Sequence, residues 1–115
     1  MQLDLPYLLL IRESIDKIFE YTGLLDKEGF LNSDVIKDAC LTRLIVIGEC
    51  SSKIFEASKL QFPEVEWQQI KEARNFYVHV YGSVRWERVW DTIQINLPEL
   101  KDEVNTIIEN IGQSS

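Results

Sequence analysis

One regularity runs through nearly the whole chain: apolar residues return at three- and four-residue steps. Leu8, Ile11, Ile15, Ile18 and Phe19 set it first, with Arg12, Glu13, Asp16 and Lys17 between them. That is the stripe of an amphipathic helix. No stretch of five or more residues alternates apolar with polar in β-branched residues, so the pattern predicts helices and no sheet. The first helix is expected to end near Gly23. Residues 29–32 read as a turn, and Ser33 stands as an N-cap before Asp34, whose carboxylate suits the first turn of a helix. A second, longer helix should run from there to about Lys59. Its middle, Leu44 to Cys50, is apolar on nearly every side and contains Gly48. This implies a rod buried on several faces, with another helix close against the glycine.

Pro63 interrupts the pattern, and a third helix from about Glu66 carries Ile70, Ala73, Tyr77 and Val78 at helical spacing. Gly82 and Ser83 interrupt it in turn. A fourth begins near Val84, with Val89, Trp90 and Ile93 on one side, and meets Pro98. A proline removes a helical hydrogen bond and clashes with the preceding turn, so either a kink or a new helix capped by Asn96 is expected there. Beyond it Leu100, Val104, Ile107 and Ile108 keep the helical step. The expected fold is all-α, a bundle of four main helices plus a C-terminal helical extension. With 115 residues, no internal repeat and no Gly/Ser linker, residues 1–115 read as one domain.

Hydrophobic residues make up 45% of the chain and charged ones 27%, enough apolar material for a core. Apolar runs such as Leu8 to Ile11 fall far short of the roughly 20 residues that span a bilayer, so no membrane association is expected. Asp4 stands where a secretory signal would carry a basic residue, and a cytoplasmic location follows as the expectation. Cys40 and Cys50 on one helix would lie about 15 Å apart, too far for a disulfide. With a single histidine and no paired-ligand spacing, no metal site is expected. The net charge of −7 opposes a general nucleic-acid coat. Its distribution is uneven, however. Lys71, Arg74, Arg85 and Arg88 meet only Glu72 and Glu87 between residues 71 and 88, a basic island suited either to a focused phosphate site or to a solvated helix surface.

The only histidine, His79, lies within that island. A lone histidine near a helix end is more often packed or capping than catalytic. Here Arg74 offers a guanidinium fork for phosphate, the imidazole exchanges protons near neutral pH, and Tyr81 adds a hydroxyl. Together these suit phosphodiester chemistry. On a straight helix Arg74 and Tyr81 share a face, whereas His79 is turned from Arg74 by about 140°. The helix is therefore expected to loosen between Val78 and Gly82 and let the imidazole swing round. Trp67, Trp86 and Trp90 could stack on bases but read more readily as core or dimer contacts. Glu49 should be either buried beside an arginine such as Arg43 or a cleft residue, with burial beside a partner favoured.

The spacing Arg74-x4-His79-x-Tyr81 resembles the Arg-x4-His-x-Tyr signature of the HepT-like toxins in the HEPN superfamily, and Asn75 fits the polar residue usual after the motif arginine. The resemblance extends through residues 38–43, 46–50, 62–67, 89–91 and 97–100, with Val80 standing where many relatives have Gly. It implies an all-α homodimer whose paired motifs meet in an interfacial cleft, acting as a ribonuclease on RNA, tRNA or mRNA, without metal or other cofactor. Arg74 would bind phosphate and His79 would serve as general acid/base, with Asn75 orienting a side chain or touching substrate. Lys71, Arg85 and Arg88 would guide RNA. The partner implied is a nucleotidyltransferase antitoxin of the MntA type, which can attach AMP to the motif tyrosine, here Tyr81. A different class of function stays open beside this one: a non-catalytic module that binds a nucleotide or serves as a scaffold for the nucleotidyltransferase.

Overall fold

The computed structural model describes residues 2–114, and every regular element among them is helical. After a short 3₁₀ turn, α1 spans Leu5–Thr22. The short α2 (Lys27–Leu31) leads to α3 (Asp34–Ser52), and a second short helix, α4 (Glu56–Gln61), precedes α5 (Trp67–His79). A 3₁₀ turn at Tyr81–Ser83 leads to α6 (Trp86–Asp91). A π-helical turn at Thr92–Asn96 then passes straight into α7 (Leu97–Ser114). The long helices lie side by side in the order α7, α1, α3, α5. No helix of the described residues is long and apolar enough to cross a membrane.

The apolar stripe of α1 supplies the centre of the core, with Leu8, Ile11, Ile15 and Ile18 all at or near zero exposure. Against it lie Leu44 and Ile47 of α3 and Leu97, Leu100, Val104, Ile107 and Ile111 of α7. Polar contacts fix the α1–α7 seam from the outside: Arg12 Nη1 donates to Asn105 Oδ1 at 3.2 Å, and Lys101 pairs with Asp16 at 2.7 Å. Ser33 caps α3 as expected, its hydroxyl accepting from the Ile36 N–H. Both cysteines are free and buried.

Four boundaries differ from the sequence reading. Residues 29–32 are not a turn. Lys27–Leu31 form a helix capped by Asp26, which accepts from the Gly29 N–H at 2.8 Å, and the helix drives Phe30 fully into the core. The long helix α3 ends at Ser52 rather than near Lys59, because Asp4 intervenes from the N-terminus. Its buried carboxylate accepts from the Phe55 N–H at 3.1 Å and from the Ser58 hydroxyl at 2.6 Å, which starts a new helix there. Asn96 caps nothing. Pro98 cannot donate to the Gln94 carbonyl, and the chain absorbs this by widening one turn, so that the Leu97 N–H reaches Thr92. The helix beyond Pro98 is not an extension either: α7 is a full member of the bundle, and the four long helices are α1, α3, α5 and α7.

Candidate active site

The helix that carries the basic island, α5, rests on α3, and Gly48 sets how closely. A methyl group built at Gly48 would fall 2.7 Å from Arg74 Cγ and closer still to its Cβ. Only glycine leaves room for the arginine stem to cross α3 at this level. Having crossed over Gly48, the side chain meets the next residue of α3: Arg74 Nη2 pairs with Glu49 Oε2 at 2.6 Å. On its other side Nη1 donates to Asn75 Oδ1 at 3.1 Å. Arg74 Nε is shut off from solvent and finds no acceptor. The guanidinium is thus gripped at both terminal nitrogens, and its outward edge stays open, with 30% of the side chain exposed. Glu49 is half-exposed at 48%, so the favoured expectation of a buried carboxylate gives way to an ion pair at the surface, and its partner is Arg74 rather than Arg43.

His79 is the last residue of α5, exposed, and its imidazole makes no hydrogen bond among the described residues. The expected loosening does occur, one step later than the imidazole needs. Val80 leaves helical geometry (φ −132°, ψ 45°) and its N–H still donates to Phe76, so His79 keeps its place on the helix. Tyr81 then stands on the 3₁₀ turn, and its hydroxyl donates to Asp38 Oδ1. That hydrogen bond above all, aided by partial desolvation and by the negative charges of Asp38 and Asp34, raises the phenol above its ordinary range. Glu49 and Asp38 are eleven residues apart on α3, about 16 Å along its axis. Within one chain, therefore, Arg74, Asn75 and Glu49 form one cluster, Tyr81 and Asp38 form another, and His79 lies between them in sequence, facing solvent.

Lys71, Arg85 and Arg88 are exposed and without ion pairs among the described residues. The tryptophans serve the core more than a base-stacking platform. Trp86 and Trp90 pack on buried Phe30 with ring centroids at 6.4 and 5.2 Å, and Lys37 lies over Trp86. Trp67 Nε1 donates to the Phe62 carbonyl at 3.1 Å. Asp38 carried no functional reading in the sequence beyond its place at the head of the run 38–43, and only the fold reveals its phenol partner. Around the motif lies an apolar rim left to solvent: Phe76, Val78, Val80 and Tyr81 are each 39–52% exposed.

The family model described as ribonuclease HepT-like matches residues 11–107, a span that includes both clusters and the histidine. The chain belongs to the HepT-like ribonuclease family. Among the relatives of this HepT-like chain is a protein of Methanocaldococcus jannaschii provisionally named an RNase, 33% identical over 88% of this chain and 84% of its own length. A Thermococcus cleftensis protein named probable ribonuclease HepT is also 33% identical, over 83% and 86% of the two chains. A Caldanaerobacter subterraneus protein, likewise provisionally named an RNase, is 27% identical over 90% and 93%. No solved structure gives a significant match.

Proposed function

We propose that this HepT-like protein is a metal-independent endoribonuclease, the toxin of a toxin–antitoxin pair, with its active site completed by two-fold pairing of chains. The observation that carries the reading is the partly exposed Arg74, held by Glu49 and Asn75 on the same helix as an exposed histidine and an exposed apolar rim. A single chain holds one imidazole, while in-line transfer needs a proton acceptor and a proton donor. The rim of Phe76, Val78 and Val80 is the apolar surface that a second copy would cover.

In the reaction proposed, one His79 takes the proton from a ribose 2′-hydroxyl as its oxygen attacks the adjacent phosphorus. The second His79 returns a proton to the departing 5′-oxygen, leaving a 2′,3′-cyclic phosphate and a free 5′-hydroxyl. The Arg74 guanidinium bears on the phosphorane oxygens, where charge builds. Lys71, Arg85 and Arg88 supply positive charge along the strand. Silencing by a nucleotidyltransferase antitoxin would follow from transfer of AMP to Tyr81: its Oη displaces pyrophosphate from ATP, releases its proton, and gains a phosphate that repels RNA.

The test is cleavage of total tRNA and mRNA by unmodified protein in excess EDTA. Wild type should leave cyclic phosphate ends, and Arg74→Ala and His79→Ala should each lose about 10²–10⁴-fold in rate. Inert wild type, shown by intact mass to carry no AMP, would overturn the nuclease and favour the nucleotide-binding or scaffold module.

A further inference from the structure

The contact between Glu49 and Arg74 raises a problem for a phosphate-binding arginine. An ionised carboxylate 2.6 Å from Nη2 cancels much of the positive charge that would draw a polyanion, and it faces the same solvent that an RNA strand must arrive from. A residue meant only to bind RNA tightly would be better without it. The fold nevertheless builds this pairing with care: Gly48 gives up its side chain so that the Arg74 stem can cross α3, and the very next residue receives the guanidinium.

Differential binding resolves the conflict. A phosphodiester carries one negative charge, and the phosphorane formed on attack gathers more. An arginine already paired with a carboxylate gains little from the first and more from the second, so its stabilisation is spent late, where it accelerates the reaction. The same pairing holds the planar fork still. Nη2 is fixed by Glu49, Nη1 by Asn75, and Nε is closed off, so the one edge left to a phosphate is the outward edge of the two terminal nitrogens.

We propose that Glu49 is a positioning residue that tunes Arg74, weakening its hold on intact RNA while fixing its edge for the transition state. The proposal rests on the RNA-cleaving reading, and its test separates the two. Glu49→Gln keeps an acceptor at the same place and removes the charge; Glu49→Asp keeps the charge and withdraws it by one methylene. Binding is measured with an RNA oligonucleotide carrying 2′-deoxy residues, which lacks the nucleophile and cannot be cut, for wild type, Glu49→Gln, Arg74→Ala and the double variant. Turnover is measured in parallel on the cleavable strand.

Glu49→Gln should bind the uncleavable strand about threefold to tenfold tighter, and only while Arg74 is present. On cleavable RNA it should show a lower KM together with a kcat lowered about tenfold, a split that general loss of structure would not produce. Glu49→Asp should lie closer to wild type in binding. Binding unchanged by Glu49→Gln, or tightened equally without Arg74, overturns the proposal, as does a kcat that stays level or rises. If wild type cuts nothing, the nuclease reading falls by itself while the four binding constants still judge the pairing, and no binding by any of the four rejects it.

Discussion

The hydrogen bond from Tyr81 to Asp38 shows how much a single residue can carry. The phenol sits at the surface, yet the carboxylate favours its protonated form, so the Tyr81 titration is shifted upward. The sign of the linked stability follows. A group whose value is raised on folding contributes stability that is fully present below its unfolded value, about 10 for tyrosine, and that is lost as pH rises through the folded value. Asp38→Ala should therefore bring the Tyr81 titration back toward the ordinary tyrosine range, read as phenolate absorbance against a Tyr81→Phe blank. It should also remove this part of the alkaline loss of stability. A titration unmoved by Asp38→Ala would show that the bond does not hold the phenol in solution. Arg74, His79 and Tyr81 were legible in the sequence as candidates, by residue type and by a spacing that resembles the family signature. Asp38 and the exposed pairing of Glu49 were not, since each depends on which helix lies opposite.

At the scale of elements, Gly48 governs the distance between α3 and α5. Replacing a helical glycine with alanine by itself gains about 1 kcal/mol. Here the added methyl would collide with the stem of Arg74, a part of the side chain that cannot swing away without moving α5. Overpacking of this kind costs about 1–3 kcal/mol, so Gly48→Ala should be destabilising on balance in urea unfolding and should pull Arg74 from Glu49. Gly112 supplies the contrast: a methyl there meets nothing within 4 Å, and Gly112→Ala should leave stability unchanged or raise it. Equal effects of the two substitutions would remove the close-approach argument. The close neighbour at Gly48 was readable from a glycine set in an apolar run. The end of α3 at Ser52 was not, because no glycine or proline marks it; the decisive carboxylate, Asp4, lies about fifty residues earlier in the chain.

The whole molecule is acidic, and its charge is concentrated. Glu64, Glu66, Glu99 and Glu103 ring a groove floored by Leu44, Ile47, Ile70 and Leu100. Partial burial first, and then Glu99, Glu64 and Glu66, raise the Glu103 carboxyl above its ordinary value. The favourable share of this shift is present at pH below about 4.5 and is lost as pH rises through the raised value, so at neutral pH Glu103 is a repelled charge. Glu103→Gln should raise the melting temperature at pH 7, less so in high salt, and give no gain near pH 4. A gain independent of pH would point to packing instead. The all-α class and the helical step of the long helices followed from periodicity, whereas the short helices α2 and α4, the place of α7 as the fourth rod, the π-turn before Pro98 and the plugging of the core by Phe30 are tertiary solutions to local conflicts that the pattern leaves open. Helix α5 is the least deeply anchored of the four long helices. None of its residues is fully buried, unlike those of α1, α3 and α7. It packs chiefly on α3, so its free energy of opening is expected to lie below that of the domain. Amide hydrogens of Trp67–His79 should accordingly exchange faster than those of α1, α3 and α7, so that the segment bearing the arginine and the histidine opens before the rest of the bundle.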